Sequence, residues 1–303
     1  MPLPRPGVRP PCPHALSALI PAEEHPLLAH ALGLPIVERS DLTPLLGPRL
    51  DQGRSSACSC HAAAAGRWAA SGHNLPGFPS PHCLYSASGR IEAPCGGVLR
   101  DDGRQLASVL RAVRETGIGP MRAPTPDGRW SDVWTAEDVA GLPGAPPPNV
   151  CADLTQAEHA QCVRYDAGSH TIDPRGPAAI RQIIACLTSP APAPVLVGGE
   201  VGAAFEGLEG DQDAQPDDPS DPDGGGHALL ICGHRPLVGS AGHFEFRLCN
   251  SWGSSWDEDG ECWASEAFVL GLWELHPLTC CRVDDASLPL LERLRAALRR
   301  LVP

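Results

Sequence analysis

One of the thirteen cysteines in this chain stands where a helix should begin. Cys58 follows a turn of small residues, Gly53-Arg-Ser-Ser-Ala57, and opens an Ala-rich run that continues to Ala70. A thiol at a helix N-terminus lies against outward-pointing N–H groups and the positive end of the dipole, which favours the thiolate, the nucleophilic form. Gln52, six residues earlier, carries an amide that can join the Cys58 backbone N–H in holding a developing oxyanion. His227 enters an apolar run directly after three glycines, a place suited to a base that an incoming reactant must approach. Asn250 closes another apolar run, and its carboxamide can accept the distal N–H of an imidazole and fix the ring. Trp252 and Trp256 can keep water from that hydrogen bond.

Each piece alone has a plainer reading: a buried unreactive thiol, a histidine at a strand end, a hairpin with two core tryptophans. Cys60 is a rival thiol, and Cys60-His61 invites a metal. Two positions along a helix point Cys60 away from Cys58, and no second pair stands at zinc spacing. No metal and no cofactor is expected.

These residues must be positioned by a chain of 303 residues with 42% apolar and 19% charged content, enough for a sizeable core and outside the disordered range. The net charge is −13, and all 23 basic residues are arginine. An acidic chain without a basic run excludes nucleic acid as the expected partner. No eighteen-residue apolar run exists, so no membrane span is expected, and the proline-broken N-terminus does not read as a secretory signal. A cytoplasmic, reducing location with free thiols is the expectation; the odd cysteine count leaves at least one thiol free or paired between chains.

Residues 1–40 are Pro-rich and read as an extension on the surface. Helices are expected over 58–70, over 80–90 and over 105–115, where Leu106, Val109, Leu110 and Val113 share a face and Gly117 closes the run. The prolines and glycines of 119–150 suggest a join. After it come a helix at 177–187 and strands at 194–197, 227–232, 244–249 and 262–264. Helices followed by strands give an α+β fold, with a helical part at 41–150 and a strand-rich part at 151–283. Residues 211–223, with six Asp, read as a solvated flexible loop, and 284–303 as an amphipathic helix with Leu291, Leu294, Leu298 and Leu301 on one face.

The order Gln52, Cys58, His227, Asn250, with Asn250-Ser-Trp-Gly253 followed by Trp256 and Gly260, resembles the papain family of cysteine peptidases. The resemblance runs from about Leu42 to Val269, is strongest at Asp51–Ala65 and Gly224–Phe268, and is similar to bacterial members with short or absent inhibitory pro-regions. It implies a helical lobe and an antiparallel β-barrel-like lobe with the active-site cleft between them. It also implies Cys58 as nucleophile, His227 as base and acid, Asn250 as orienter, Gln52 in the oxyanion hole and Trp252 as a shield, acting on protein or peptide substrates. The family's strand-edge glycine, which pairs with substrate backbone, matches Gly103 by its distance to Gly117 and Gly97 by local sequence, and Gly103 is preferred. Gly198, Gly226 and Ala228 are expected to line a roomy apolar pocket. Departures are Ser56-Ala57 where Gly-Ser is usual, Ser55 where many secreted members carry a disulfide cysteine, and 169 residues from Cys58 to His227. Acyl transfer on the same site, or a binding module without activity, are the alternatives. Oligomeric state is not legible.

Overall fold

A computed structural model of the protein describes residues 8, 20–21, 32–53, 55–73, 75, 77–92, 101–119, 170–189, 191–210, 213–215 and 224–279. The Pro-rich join, the amphipathic C-terminal helix, Gly97 and most of the N-terminal extension lie outside these residues.

Three helices form where the sequence favours them. Helix α1 (Cys58–Ala70) is built on alanine, the best helix former, and nearly every residue is buried. Helix α2 (Pro81–Glu92) starts on a proline, whose missing N–H costs nothing in a first turn. Helix α3 (Leu106–Glu115) buries Leu106, Val109, Leu110 and Val113 as one stripe and ends before Gly117, at φ +88°. A fourth helix, α4 (Ala179–Thr188), packs Ile183, Ile184 and Leu187 inward.

Apart from a two-residue parallel pair, Ile20–Pro21 with His170–Thr171, the described strands form one antiparallel sheet. Its members are β1 (Ser40–Asp41), β2 (Val195–Val201), β3 (Gly225–Pro236), β4 (Phe244–Cys249), β5 (Glu261–Ser265) and β6 (Glu274–Pro277). The order is β5-β4-β3-β2-β6, with β1 added on β3. Helices plus an antiparallel sheet make the fold α+β, as expected from the order of elements. Among the described residues no helix is long and apolar enough to cross a membrane.

Central strand β3 is longer than the expected 227–232, because its pairing with β4 continues past a bulge at Cys232 through Gly233, His234 and Arg235. Strand β6 has no counterpart in the sequence reading. Glu274 and His276 break its apolar pattern, yet both are buried and bond to each other at 2.8 Å. Helix α1 lies against β3 at Gly66, where a Cβ would stand 2.8 Å from Leu230 Cδ1 and press on Leu278 as well.

Three expectations need correction. The acidic segment is not solvated throughout: Ala214, its one apolar residue, is buried and exchanges backbone hydrogen bonds with Trp263 and Ser265 at 2.7 and 3.1 Å. The N-terminal extension is not confined to the surface, since Val8 is buried and Ser40–Asp41 joins the sheet. Free thiols hold for Cys60, Cys186, Cys232, Cys249 and Cys262, whereas Cys83 is disulfide-bonded.

Candidate active site

The turn ahead of α1 is closed by its own side chains. Gln52 Nε2 donates to Ser55 O at 2.7 Å and Ser55 Oγ donates to Gln52 O at 2.7 Å, while Gly53 takes φ +56°. The turn is also stitched to the far side of the sheet. Gln52 N–H donates to Ser251 O at 2.8 Å, Ser251 Oγ donates to Gln52 Oε1 at 2.6 Å, and Asp51 bridges Trp252. Arg49, just upstream, forms an ion pair with Glu261 of β5. Cys58 is the first residue of α1 and is fully buried.

His227 is the third residue of β3, opposite Gly199 of β2. Its Nε2 lies 2.8 Å from Asn250 Oδ1, just past the end of β4. The same oxygen accepts the Ser251 backbone N–H at 2.7 Å. A backbone N–H can only donate, so the Asn250 atom facing it is the carbonyl oxygen, and the imidazole must present Nε2–H. That leaves Nδ1 as the acceptor nitrogen, buried and without a hydrogen-bond partner among the described residues. Burial pushes the imidazole down to about 4, against the Asn250 hydrogen bond, which raises it. At neutral pH the ring is therefore neutral.

A chain of hydrogen bonds links the turn ahead of Cys58 to this ring. Leu230 lies three residues beyond His227, and Gly66 eight beyond Cys58. Cys58 and His227 therefore sit about 12 and 10 Å back from the Gly66–Leu230 contact. Gln52, just ahead of α1, bonds Ser251, and Ser251 bonds the Asn250 oxygen that receives His227.

An aromatic group covers that hydrogen bond. The Trp252 ring centroid is 4.6 Å from that of His227, and Trp256 meets Trp252 edge-on at 5.4 Å. Phe205 contacts both tryptophans and stacks on Phe268. Nothing local in the sequence marks Phe205, which sits on a four-residue helix (Ala203–Glu206) and reaches the site only through packing.

Two other candidates resolve differently. Burial pushes the Cys60 thiol up to about 12, and Ser59 and Ser88 are its hydroxyl neighbours. His61 Nδ1 bonds Ala57 O at 2.9 Å, a helix-backbone contact. No group of three or more His, Cys, Asp or Glu that could hold a metal occurs among the described residues.

The glycines fall around this centre. Gly103 takes φ +81° and is buried beside α2, with its N–H donating to Tyr85 Oη at 3.3 Å. Gly226, next to His227, accepts from the Val8 N–H at 2.9 Å, and a Cβ there would collide with the Val8 carbonyl. Val8 also bridges Arg104, the residue after Gly103. Gly198 pairs with Ala228 on one side and Glu274 on the other. The space beside it is taken, with Leu106 Cδ1 3.1 Å and Glu274 Cγ 3.6 Å from where a Cβ would stand. Glu274, with one carboxylate oxygen unbonded among the described residues, makes this surface less apolar than Gly198 and Ala228 alone imply.

Solved structures share this arrangement of helices and sheet. Xylellain, a cysteine protease from Xylella fastidiosa, superposes with a TM-score of 0.62 at 21% identity, over 90% of this chain and 96% of that one. The chain has a papain-like fold. Procathepsin B S9 from Trypanosoma congolense matches at 0.61 and 16% identity, over 90% of this chain and 87% of its own. The bromelain protease from Ananas comosus, in complex with the E64 inhibitor, matches at 0.52 and 16% identity, over 81% of this chain and all of that one. No protein-family model and no curated protein matches the sequence. The papain-like fold thus rests on three-dimensional likeness, and the site on the residues described above.

Proposed function

We propose that this chain is a papain-family cysteine peptidase that cleaves peptide bonds through Cys58, His227, Asn250 and Gln52. Its two lobes are the helices around α1 and the sheet around β3, with the substrate cleft between them. The observation that carries the reading is the Asn250 oxygen shared by Ser251 N–H and His227 Nε2, which leaves a buried Nδ1 as a proton acceptor on a ring linked through Ser251 to the turn ahead of α1.

In this mechanism the Cys58 thiol gives its proton to His227 Nδ1, and the sulfur attacks the substrate carbonyl carbon. The resulting oxyanion is held by the Cys58 backbone N–H, in the outward-pointing first turn of α1, and by the second hydrogen of Gln52 Nε2. The first hydrogen already points at Ser55 O, so the amide needs no reorganisation when charge develops. His227 then protonates the departing amine, the acyl group remains on sulfur as a thioester, and water activated by the neutral imidazole releases the acid. Asn250 holds the ring in one tautomer throughout, and Trp252 and Trp256 keep water from that contact.

Substrate backbone is proposed to run extended between Gly226 and Gly103. Val8 supports this, because its own extended backbone already bonds Gly226 O and pairs beside Gly103. The test is turnover of fluorogenic peptides by the wild type and by Cys58→Ala. The variant should lose about four orders of magnitude in kcat/KM, and undiminished cleavage would remove Cys58 from the chemistry.

A further inference from the structure

The nucleophile turn and the Gly103 edge are far apart in sequence, and a single carboxylate ties them together. Ala57, the N-cap of α1, supplies no side-chain cap, and the residue before it takes its acceptor from a distant segment. Ser56 N–H donates to Asp101 Oδ1 at 2.9 Å, and Ser56 Oγ donates to the Asp101 backbone carbonyl at 3.3 Å. The same Oδ1 accepts the Tyr85 hydroxyl at 2.8 Å, and that hydroxyl in turn accepts Gly103 N–H at 3.3 Å.

Tyr85 is fully buried on α2, with the Arg104 guanidinium 3.9 Å from its ring centroid and Arg104 Nε donating to its backbone carbonyl. Burial raises the Tyr85 hydroxyl far above its usual range, so it stays a proton donor. One continuous path therefore runs from the residue two before Cys58, through a carboxylate oxygen and a phenol, to the glycine proposed to pair with substrate.

We propose that Asp101 is a positioning residue that keeps the Cys58 turn and the Gly103 edge in fixed register, so that a peptide paired at Gly103 presents its carbonyl to the thiol. The inference rests on the reading of Cys58 as nucleophile and Gly103 as substrate edge. Asp101 touches neither the reacting atoms nor the substrate. Its effect comes from geometry, where a misplacement of about 1 Å costs on the order of a hundredfold in rate.

The test compares Asp101→Ala, Asp101→Asn and Tyr85→Phe with the wild type, at a temperature where circular dichroism shows each fully folded. Two quantities are read: kcat and KM on a fluorogenic peptide, and the second-order rate of Cys58 carbamidomethylation by iodoacetamide, followed by peptide mapping. Asp101→Ala removes the acceptor of both hydrogen bonds and is expected to lower kcat/KM roughly ten- to a hundredfold and to slow Cys58 alkylation. Asp101→Asn keeps an oxygen in place and should return both rates to within about threefold of wild type. Tyr85→Phe cuts only the Gly103 branch, so KM should rise roughly three- to tenfold with alkylation of Cys58 unchanged.

Wild-type alkylation in Asp101→Ala, or a loss in Asp101→Asn equal to that in Asp101→Ala, would overturn the assignment. Should the wild type cleave no peptide, the proposed function fails. The alkylation ratio between wild type and Asp101→Ala still decides whether Asp101 sets the thiol.

Discussion

The strand side of the site and the helical side are held in different ways. On the strand side, Asn250, Ser251 and Trp252 are consecutive. One short stretch fixes the His227 tautomer, anchors Gln52 and covers the ring. On the helical side, Cys58, Gly103 and Tyr85 come from three separate segments, joined through Asp101. A site can therefore be half local text and half long-range architecture. The strand-side residues are neighbours in the chain, whereas the other half depends on bonds between distant segments.

The comparison is tested most strongly where the two sides meet. Gln52→Ala removes one proposed oxyanion donor and should lower kcat by roughly 10²–10³, with KM nearly constant. An effect confined to KM would make Gln52 a stitch between the sides and no more.

Acid should strike both sides together. Burial lowers His61 of α1 and His227 of β3 to about 4 from 6.5. The unfolded chain takes up these protons first as pH falls, so the stability that each neutral ring supports is complete above pH 6.5 and is lost between 6.5 and 4. Each contributes roughly 3 kcal/mol over that window. Urea midpoints measured against pH should fall accordingly, and His61→Phe should remove at most about a third of the slope, because burial lowers His82 and His234 as well. A flat profile would mean that the rings are not buried neutral.

Ser251→Ala leaves Gln52 Oε1 without its 2.6 Å donor and should cost roughly tenfold in kcat/KM, and an unchanged value would mean that this bond does not position Gln52. Val8→Pro removes the N–H that occupies Gly226 O and should lower KM for an extended peptide about three- to fivefold. An unchanged KM would place the peptide track elsewhere.

The same asymmetry explains what could be read from sequence. Gln52, Cys58, His227 and Asn250 were legible because each sits at an element boundary marked by glycine, alanine or an apolar run, and α3 because its stripe repeats with helical period. Gly103 was favoured over Gly97 on spacing, and its φ of +81° supplies a backbone reason for glycine there. Asp101, Tyr85 and Phe205 were not legible, because ordinary residues acquire their roles only through partners tens of residues away. Strand β6 was hidden by Glu274 and His276, which satisfy each other inside the core. Ala214 was hidden by the aspartates around it, and Val8 by its prolines.

The most direct measurement is covalent labelling with a peptidyl epoxide followed by peptide mapping, in the wild type and in His227→Ala. Label confined to Cys58 in the wild type, and slowed at least a hundredfold in the variant, is the expected result. Label on Cys60 or another thiol, or labelling of Cys58 at the same rate without the imidazole, would contradict the pairing of Cys58 with His227.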